Sequence, residues 1–421
     1  MRILLMSLGT RGDVQPFVAL GAALRARGGD VTVSTGVGFE AMIEGAGLKS
    51  ASFSSNYQTL LQRPDVQDAM HTLSGKLRML RKSRERIRQE LEEQWNLTHK
   101  IRPDLIVYNP KTAFAAQAAH NIGAVAVPAL LQPVLAPTAA FPLMVVSTGN
   151  LGACANRFSH RLATGMAGRL NRKNFRAFER AHDGSMELGD FDELRGFAPG
   201  GRNVPRLHAY SRHLVPRPDD WPVEETITGY WFRENDQTDW TPPAALARFL
   251  MSGPPPVYIG FGSMPTRDAQ KTAQAAIEAL RQAGLRGVLS RGWGGLEMPN
   301  AGVDIHVISG APHGWLFPRC AAIVHHGGAG TTHQALRWGR PSVVCPLFGD
   351  QPFWARRVAD AGAGAEPLPM KKFSASRLAD RLEVALSSVV KARAEELGRL
   401  IRAEAGSERA ADVLESVMSG R

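Results

Sequence analysis

Two distant stretches of this chain share one plan: a short apolar run without alternation, a glycine turn, then apolar residues at helical spacing. Arg2 to Leu8 passes through Gly9-Thr-Arg-Gly12-Asp13 into a segment where Phe17, Leu20, Ala23 and Leu24 share a face. Val257-Tyr-Ile-Gly-Phe261 passes through Gly262-Ser263-Met264 into a helix-like segment from Asp268 to Gly284. An apolar run that does not alternate is a strand covered on both faces. Strands that alternate with helices imply a parallel sheet.

Further strand-like runs follow each start: Val31 to Ser34, Asp104 to Tyr108 and Ala124 to Val127 in the first half, with His208 to Ser211 as its last strand. Gly287 to Ser290, Asp304 to Ile308, Ala321 to Val324 and Ser342 to Cys345 serve the second. At 421 residues the chain exceeds what one core usually serves. The expected fold is α/β: two Rossmann-like, doubly wound parallel-sheet domains facing across a cleft. Crowded prolines at 216, 218, 222, 242 and 243 mark residues 215–243 as the linker between domains 1–214 and 244–395. Residues 396–421 form a C-terminal helix free to pack back on the first domain. The middle, from Val145 to Arg202, reads as helical and amphipathic.

Composition excludes several classes. Apolar residues make up 44% and charged residues 21%, so wholesale disorder is excluded. The net charge of +11 admits nucleic acid, an anionic membrane face or a phosphorylated small molecule. The basic run Lys76 to Arg88 has few aromatics and no nucleic-acid motif beside it, so no nucleic-acid partner is expected. That run is a solvated helix face or, alternatively, a surface touching anionic lipid through residues 74–95. Cys154, Cys320 and Cys345 are too few and scattered for a disulfide framework or zinc site. With no signal-peptide pattern and no run of roughly 20 apolar residues, the chain is expected in the cytoplasm, as monomer or homodimer, peripheral to the inner membrane face at most.

The chemistry concentrates in a few turns. His325-His326-Gly327-Gly328-Ala329-Gly330-Thr331-Thr332 follows a strand and precedes a helix. Its glycines admit close approach of backbone N–H groups to an anion, and the helix start adds about half a positive charge. A diphosphate suits the site, with His326 and the Thr331 hydroxyl as further donors. Phe348-Gly349-Asp350-Gln351-Pro352-Phe353-Trp354 sets a carboxylate beside an amide, which suits a row of sugar hydroxyls. Asp350 is also placed to be an N-cap. No Asp-x-Asp metal motif stands near the glycine loop, so no metal or other cofactor is expected.

These motifs, with Ala311-Pro-His-Gly-Trp315-Leu-Phe-Pro-Arg-Cys320, Ser290-Arg-Gly-Trp293-Gly-Gly and Leu8-Gly-Thr-Arg-Gly-Asp13-Val-Gln-Pro16, resemble the nucleotide-sugar glycosyltransferases of the two-domain GT-B fold. Within that group the sterol 3-beta-glucosyltransferases and the bacterial natural-product glycosyltransferases are most similar. The resemblance is weak over 50–100 and 145–205. It implies that His326, Gly328, Ala329, Gly330 and Thr331 cradle the diphosphate. It implies that Asp350 and Gln351 read the sugar and that Ser263 contacts the donor. Trp293 resembles a residue stacked on the base, with core packing as its other reading. Plant members carry that tryptophan just before Ala-Pro, where this chain has Gly310.

The resemblance further implies that Asp13 is the general base. Plant relatives place a histidine there with an aspartate behind it; this chain has Asp13, and Asn109 where the partner would stand. Asp13 has a second reading as N-cap of a helix from Val14. Inverting transfer needs the acceptor hydroxyl deprotonated as it attacks. The expected reaction moves a hexose, with Gln351 leaning toward glucose, from a UDP- or TDP-sugar onto an apolar hydroxylated molecule such as a sterol, polyketide, flavonoid or lipid. Asn109, Phe141 and Met144 are candidate acceptor contacts. Three other readings stand beside it: a nucleotide-sugar epimerase, a non-catalytic partner subunit, and an oxidoreductase. The last is disfavoured by Gly9-x-x-Gly12 in place of Gly-x-Gly-x-x-Gly.

Overall fold

The computed structural model describes residues 1–56, 73–182, 186–233, 240–262, 269–291 and 302–420, without the side chains of 73–84. The first unit runs β1 (Arg2–Met6), α1 (Arg11–Ala26), β2 (Asp30–Gly36), α2 (Glu40–Glu44), β3 (Lys49–Phe53), α3 (Leu73–Ile101), β4 (Leu105–Tyr108), α4 (Phe114–Ile122), β5 (Val125–Leu130), α5 (Ala153–Ala181), β6 (Arg206–His208) and β7 (Glu225–Ile227). The second runs α6 (Ala244–Met251), β8 (Val257–Gly260), α7 (Ala269–Gln282), β9 (Gly287–Ser290), β10 (Ile305–Ile308), α8 (His313–Leu316), β11 (Ala322–His325), α9 (Ala329–Arg337), β12 (Ser342–Val344), α10 (Gln351–Asp360), α11 (Ala375–Ala385), α12 (Ser388–Arg402) and α13 (Gly406–Ser419).

Among the described residues these strands form a seven-stranded sheet, β3-β2-β1-β4-β5-β6-β7, and a five-stranded sheet, β10-β9-β8-β11-β12. Every ladder pairing in them is parallel. Apolar strands explain this directly. Ile3 and Leu5 enter the core on one face of the first sheet, and Leu4 and Met6 the core on the other. A sheet buried on both faces needs no polar alternation. Strand order reverses beside β1 in one sheet and beside β8 in the other, and crevices for ligands open at the carboxyl ends of strands at such points.

Two details depart from the expectations. Residues 215–243 are more than a connection, because Glu225–Ile227 forms β7 on the edge of the first sheet. Glu225 is buried there against the Arg206 guanidinium and accepts from His208 Nε2 at 2.7 Å. Its charge disguises the strand. Among the described residues between 145 and 202, α-helix is confined to α5, with a 3-10 turn at Pro199–Gly201.

The last helix returns to the first unit. Ala410, Ala411 and Leu414 of α13 join the core that holds Phe17 and Leu20. Arg27 at the end of α1 pairs with Glu408, Asp412 and Glu415 at 2.8, 2.6 and 3.2 Å. An interdomain core also forms: Phe141, Met144, Tyr210 and Trp221 pack with Phe353, Trp354 and Leu397.

Candidate active site

The turns after β1, β4, β11 and β12 meet in one cleft. Gln132 beyond β5 donates to Asp350 Oδ2 across it at 3.4 Å, and the charge of Asp13 bears on both Asp350 and Tyr230.

On the first-unit side, α1 starts earlier than the sequence suggests. Thr10 is its N-cap and Asp13 stands in the first turn. The Thr10 amide donates to Asp13 Oδ2 at 2.8 Å and the Thr10 hydroxyl donates to the same oxygen at 3.2 Å. Asp13 is thus the far half of a capping box, not an N-cap. Lys111 Nζ donates to Oδ1 at 2.9 Å. A carboxylate accepts at roughly four positions, so these three bonds leave one open on Oδ1. Gly9 makes the pair possible: a Cβ there would lie 2.1 Å from Asp13 Oδ2 and 2.7 Å from Lys111 Nζ.

Asn109 differs from its expected role as an acceptor contact. Its amide donates to Ser7 Oγ at 2.9 Å and Leu8 O at 3.1 Å, and its oxygen accepts from Lys111 N at 3.1 Å and Thr112 Oγ1 at 3.3 Å. Those four bonds fill the amide, and the residue is buried. It ties the end of β4 to β1 and sets where Lys111 projects.

On the second-unit side, β11 ends at His325 and the chain turns through Gly327, with φ of +92°. A Cβ there would stand 2.8 Å from Val344 Cγ1 and 3.0 Å from Gln351 O. Glycine is what lets this loop lie against the start of α10. The two histidines divide the work. His325 is buried and its Nδ1 accepts from Gly327 N at 3.1 Å, fixing the turn. His326 lies over Gly328, with Nε2 2.6 Å from where a Cβ would be. Burial pulls His326 down to about 4, so the ring is neutral near pH 7, and its buried Nδ1 has no partner among the described residues.

Helix α9 opens with Gly328 as N-cap and no side-chain cap. Its first intrahelical bond is Thr332 N to Gly328 O at 3.0 Å. The amides of Ala329, Gly330 and Thr331 therefore keep the open donors of a helix start. Tyr230, which the sequence reading passed over, closes on this turn. Its hydroxyl lies 3.0 Å from where a Gly330 Cβ would be. Its ring stacks on His333 at 4.5 Å and 17°. Burial, then the charge of Asp13, hold that hydroxyl well above the ordinary tyrosine range, so it stays protonated. Among the described residues it donates to nothing.

At α10, Asp350 occupies the N-cap position without capping. Its Oδ2 accepts from Trp354 Nε1 at 2.9 Å, and burial raises its carboxyl pKa. Gln351 Oε1 accepts from the amides of Leu347 and Phe348 at 2.8 and 3.3 Å. Its NH2 group remains without a protein partner among the described residues.

Phe141 and Met144, expected to wall an acceptor pocket, are instead buried in the interdomain core. Phe141 meets Phe353 at 5.9 Å, and the Arg357 guanidinium stands 5.1 Å from its ring. The large apolar face of α10 explains this: it covers them. Ser263 and Trp293 lie outside the described residues. The residues missed from sequence are Lys111, Gln132 and Tyr230. Tyr230 sat in a segment read as linker, and its one signal was an aromatic pair right after a glycine, Gly229-Tyr230-Trp231.

The chain also matches known proteins in sequence and in fold. Residues 3–126 match the glycosyltransferase family 28 N-terminal domain, and residues 297–414 the erythromycin biosynthesis protein CIII-like C-terminal domain. The chain is 33% identical over 434 residues to O-mycaminosyltylonolide 6-deoxyallosyltransferase of Streptomyces fradiae, covering 99% of this chain and 97% of that one. It is 30% identical over 428 residues to sterol 3-beta-glucosyltransferase UGT80A2 of Arabidopsis thaliana, covering 96% of this chain and 64% of the plant protein. This chain thus spans under two thirds of that plant relative. The glycotransferase of kitacinnamycin superposes with a TM-score of 0.70 at 21% identity, covering 99% of each chain. The glycosyltransferase VinC, solved with DTDP, superposes with a TM-score of 0.66 at 19% identity over 100% of each chain. Both have the GT-B fold of two facing parallel-sheet domains.

Proposed function

Since the chain belongs to the GT-B glycosyltransferases that include the sterol and antibiotic enzymes, we propose that it transfers a hexose from a UDP- or TDP-sugar to a hydroxyl of an apolar small molecule, with inversion. The observation that carries this is the open start of α9 at Gly330, beside the Tyr230 hydroxyl that lies within the field of Asp13. A nucleoside diphosphate-sugar needs its leaving group stabilised and its acceptor deprotonated, and this pairing offers both.

The acceptor O–H donates to the open position on Asp13 Oδ1 and loses its proton there. The acceptor oxygen bonds to the anomeric carbon from the side opposite the leaving group. The bond from that carbon to the diphosphate oxygen breaks, and its electron pair stays on the diphosphate. Open amides of α9, neutral His326, the Thr331 hydroxyl and the Tyr230 hydroxyl meet that charge. Asp350 and the free NH2 of Gln351 hold the sugar hydroxyls, and that pair favours glucose. The resemblance to sterol and macrolide enzymes supports a polycyclic or macrocyclic acceptor.

The test is direct. The protein is incubated with a panel of UDP- and TDP-sugars and apolar acceptors, with nucleoside diphosphate release and product mass as readouts. Asp13→Asn should cut transfer at least roughly a hundredfold, while nucleotide affinity by calorimetry stays close to that of the parent. Undiminished turnover in that variant would remove Asp13 as base.

A further inference from the structure

Helix α5 shows apolar side chains where an outward face ordinarily shows charge. Phe158, Leu162, Met166 and Leu170 follow one another at i, i+4 spacing, and each is at least half exposed. They form a continuous stripe roughly 18 Å long at 1.5 Å per residue. Val145, Val146 and Leu151, on the approach to the helix, are also exposed. Soluble monomers seldom leave so extended an apolar patch in water.

Cations lie among and beside the apolar residues of the stripe. Arg161, Arg169, Arg172, Lys173 and Arg176 are exposed on the same helix. From Phe141 to Phe178 the chain has no Asp or Glu at all. Arg157 is engaged elsewhere, with Asp220 at 2.8 Å. The helix is not free to roll its stripe inward, because its other side is fastened. Asn156 Nδ2 donates to Ala139 O at 2.8 Å, Leu143 N donates to Ser159 Oγ at 2.9 Å, and His160 Nε2 bonds Phe141 O at 3.1 Å. Phe175 and Phe178 are buried on that side too.

We propose that α5 is a docking face for an anionic lipid bilayer, with Phe158, Leu162, Met166 and Leu170 entering the acyl boundary and the arginines meeting lipid phosphates. An apolar stripe set among cations is what such an interface takes. A second copy of this chain is the poorer occupant. A two-fold contact through this face would set an acid-free cationic surface against itself. Docking is independent of sugar transfer. It would bring the first unit toward the phase in which an apolar acceptor dissolves.

The full chain is sedimented with phosphatidylcholine vesicles, with and without phosphatidylglycerol. The expected result is binding to the anionic vesicles alone, weakened by added salt. L162Q/M166Q and R161E/R169E should each lower that binding at least about tenfold, with thermal melts unchanged because all four side chains are exposed. Failure of the parent to bind anionic vesicles overturns the proposal, and so does undiminished binding by both variants. So would loss of binding only on reversing Lys82 and Arg84, which would move the contact to the basic run at 76–88. A parent that shows no vesicle binding but is a dimer dissociated by L162Q/M166Q would assign the stripe to self-association instead.

Discussion

The proposed role of Asp13 as base depends on neighbours that occupy its carboxylate incompletely. Thr10 and Lys111 take three acceptor positions and hold the carboxylate still. The carboxylate of residue 13 in the turn after the first strand was legible in the sequence, and its proposed role as base came from the resemblance. Its ion-pair partner was not. Lys111 lies 98 residues away and arrives only because β4 pairs beside β1 and Gly9 lacks a side chain. Tyr230 was hidden in the same way, by a sheet-edge strand that puts a supposed linker residue at the helix start. Its hydroxyl gives a clean test. Tyr230→Phe keeps the stack on His333 and removes one donor from the leaving-group side. We expect kcat to fall about ten- to a hundredfold, in line with loss of a single preorganised donor. Thermal stability should hold, because no protein acceptor loses its bond. Equal kcat in parent and variant would take Tyr230 out of the reaction.

At the level of elements, α9 does two things with one end. Its apolar side, through Ala335 and Leu336, is core, while its first turn is left without a cap. An open helix start beside the neutral ring of His326 leaves backbone donors where an anion can be held. The glycine loop made this element readable in advance, because a glycine run after an apolar strand marks the turn into a helix. Helix α10 was half readable: Asp350 and Gln351 stood out, but the burial of Phe141 and Met144 against it depends on how the two units meet, which periodicity cannot show. Gly330→Ala tests the cradle. Alanine favours the helix by up to about 1 kcal/mol, yet its Cβ would lie 3.0 Å from the Tyr230 hydroxyl. The variant should melt no lower than the parent, and its affinity for UDP or TDP should drop about tenfold as Tyr230 is displaced. Unaltered nucleotide affinity by calorimetry would separate the Gly330–Tyr230 contact from the site.

Across the whole molecule, the chain fastens its two units by crossing back. Between α12 and α13 it reaches Glu404, which accepts from Ser211 Oγ and Arg212 N of the first unit, both at 3.0 Å. Its other oxygen, Oε2, is buried and has no hydrogen-bond partner among the described residues. Burial raises this carboxyl from 4.5 to about 7 against the pull of Ser211, Arg212 and Arg409. His213, whose Nε2 is 3.9 Å from Oε1, is itself held down by burial and offers no fixed cation near neutrality. A raised carboxyl binds its proton more tightly when folded than when unfolded, so stability falls with pH over that interval. The contribution is whole below about pH 4.5 and is lost as pH rises through about 7. Above that, an ionised Oε2 sits buried against the Gly229 backbone. Glu404→Gln removes the titration while keeping an acceptor for Ser211 and Arg212. Melting temperatures taken from about pH 6 to about pH 8 should fall for the parent and stay nearly level for the variant, other titrating groups being common to both. At the upper end the variant should be the more stable by about 1–2 kcal/mol. Parallel pH slopes for the two proteins would show that Glu404 keeps its charge in the fold, and that the crossing between the units is not protonated where it is buried.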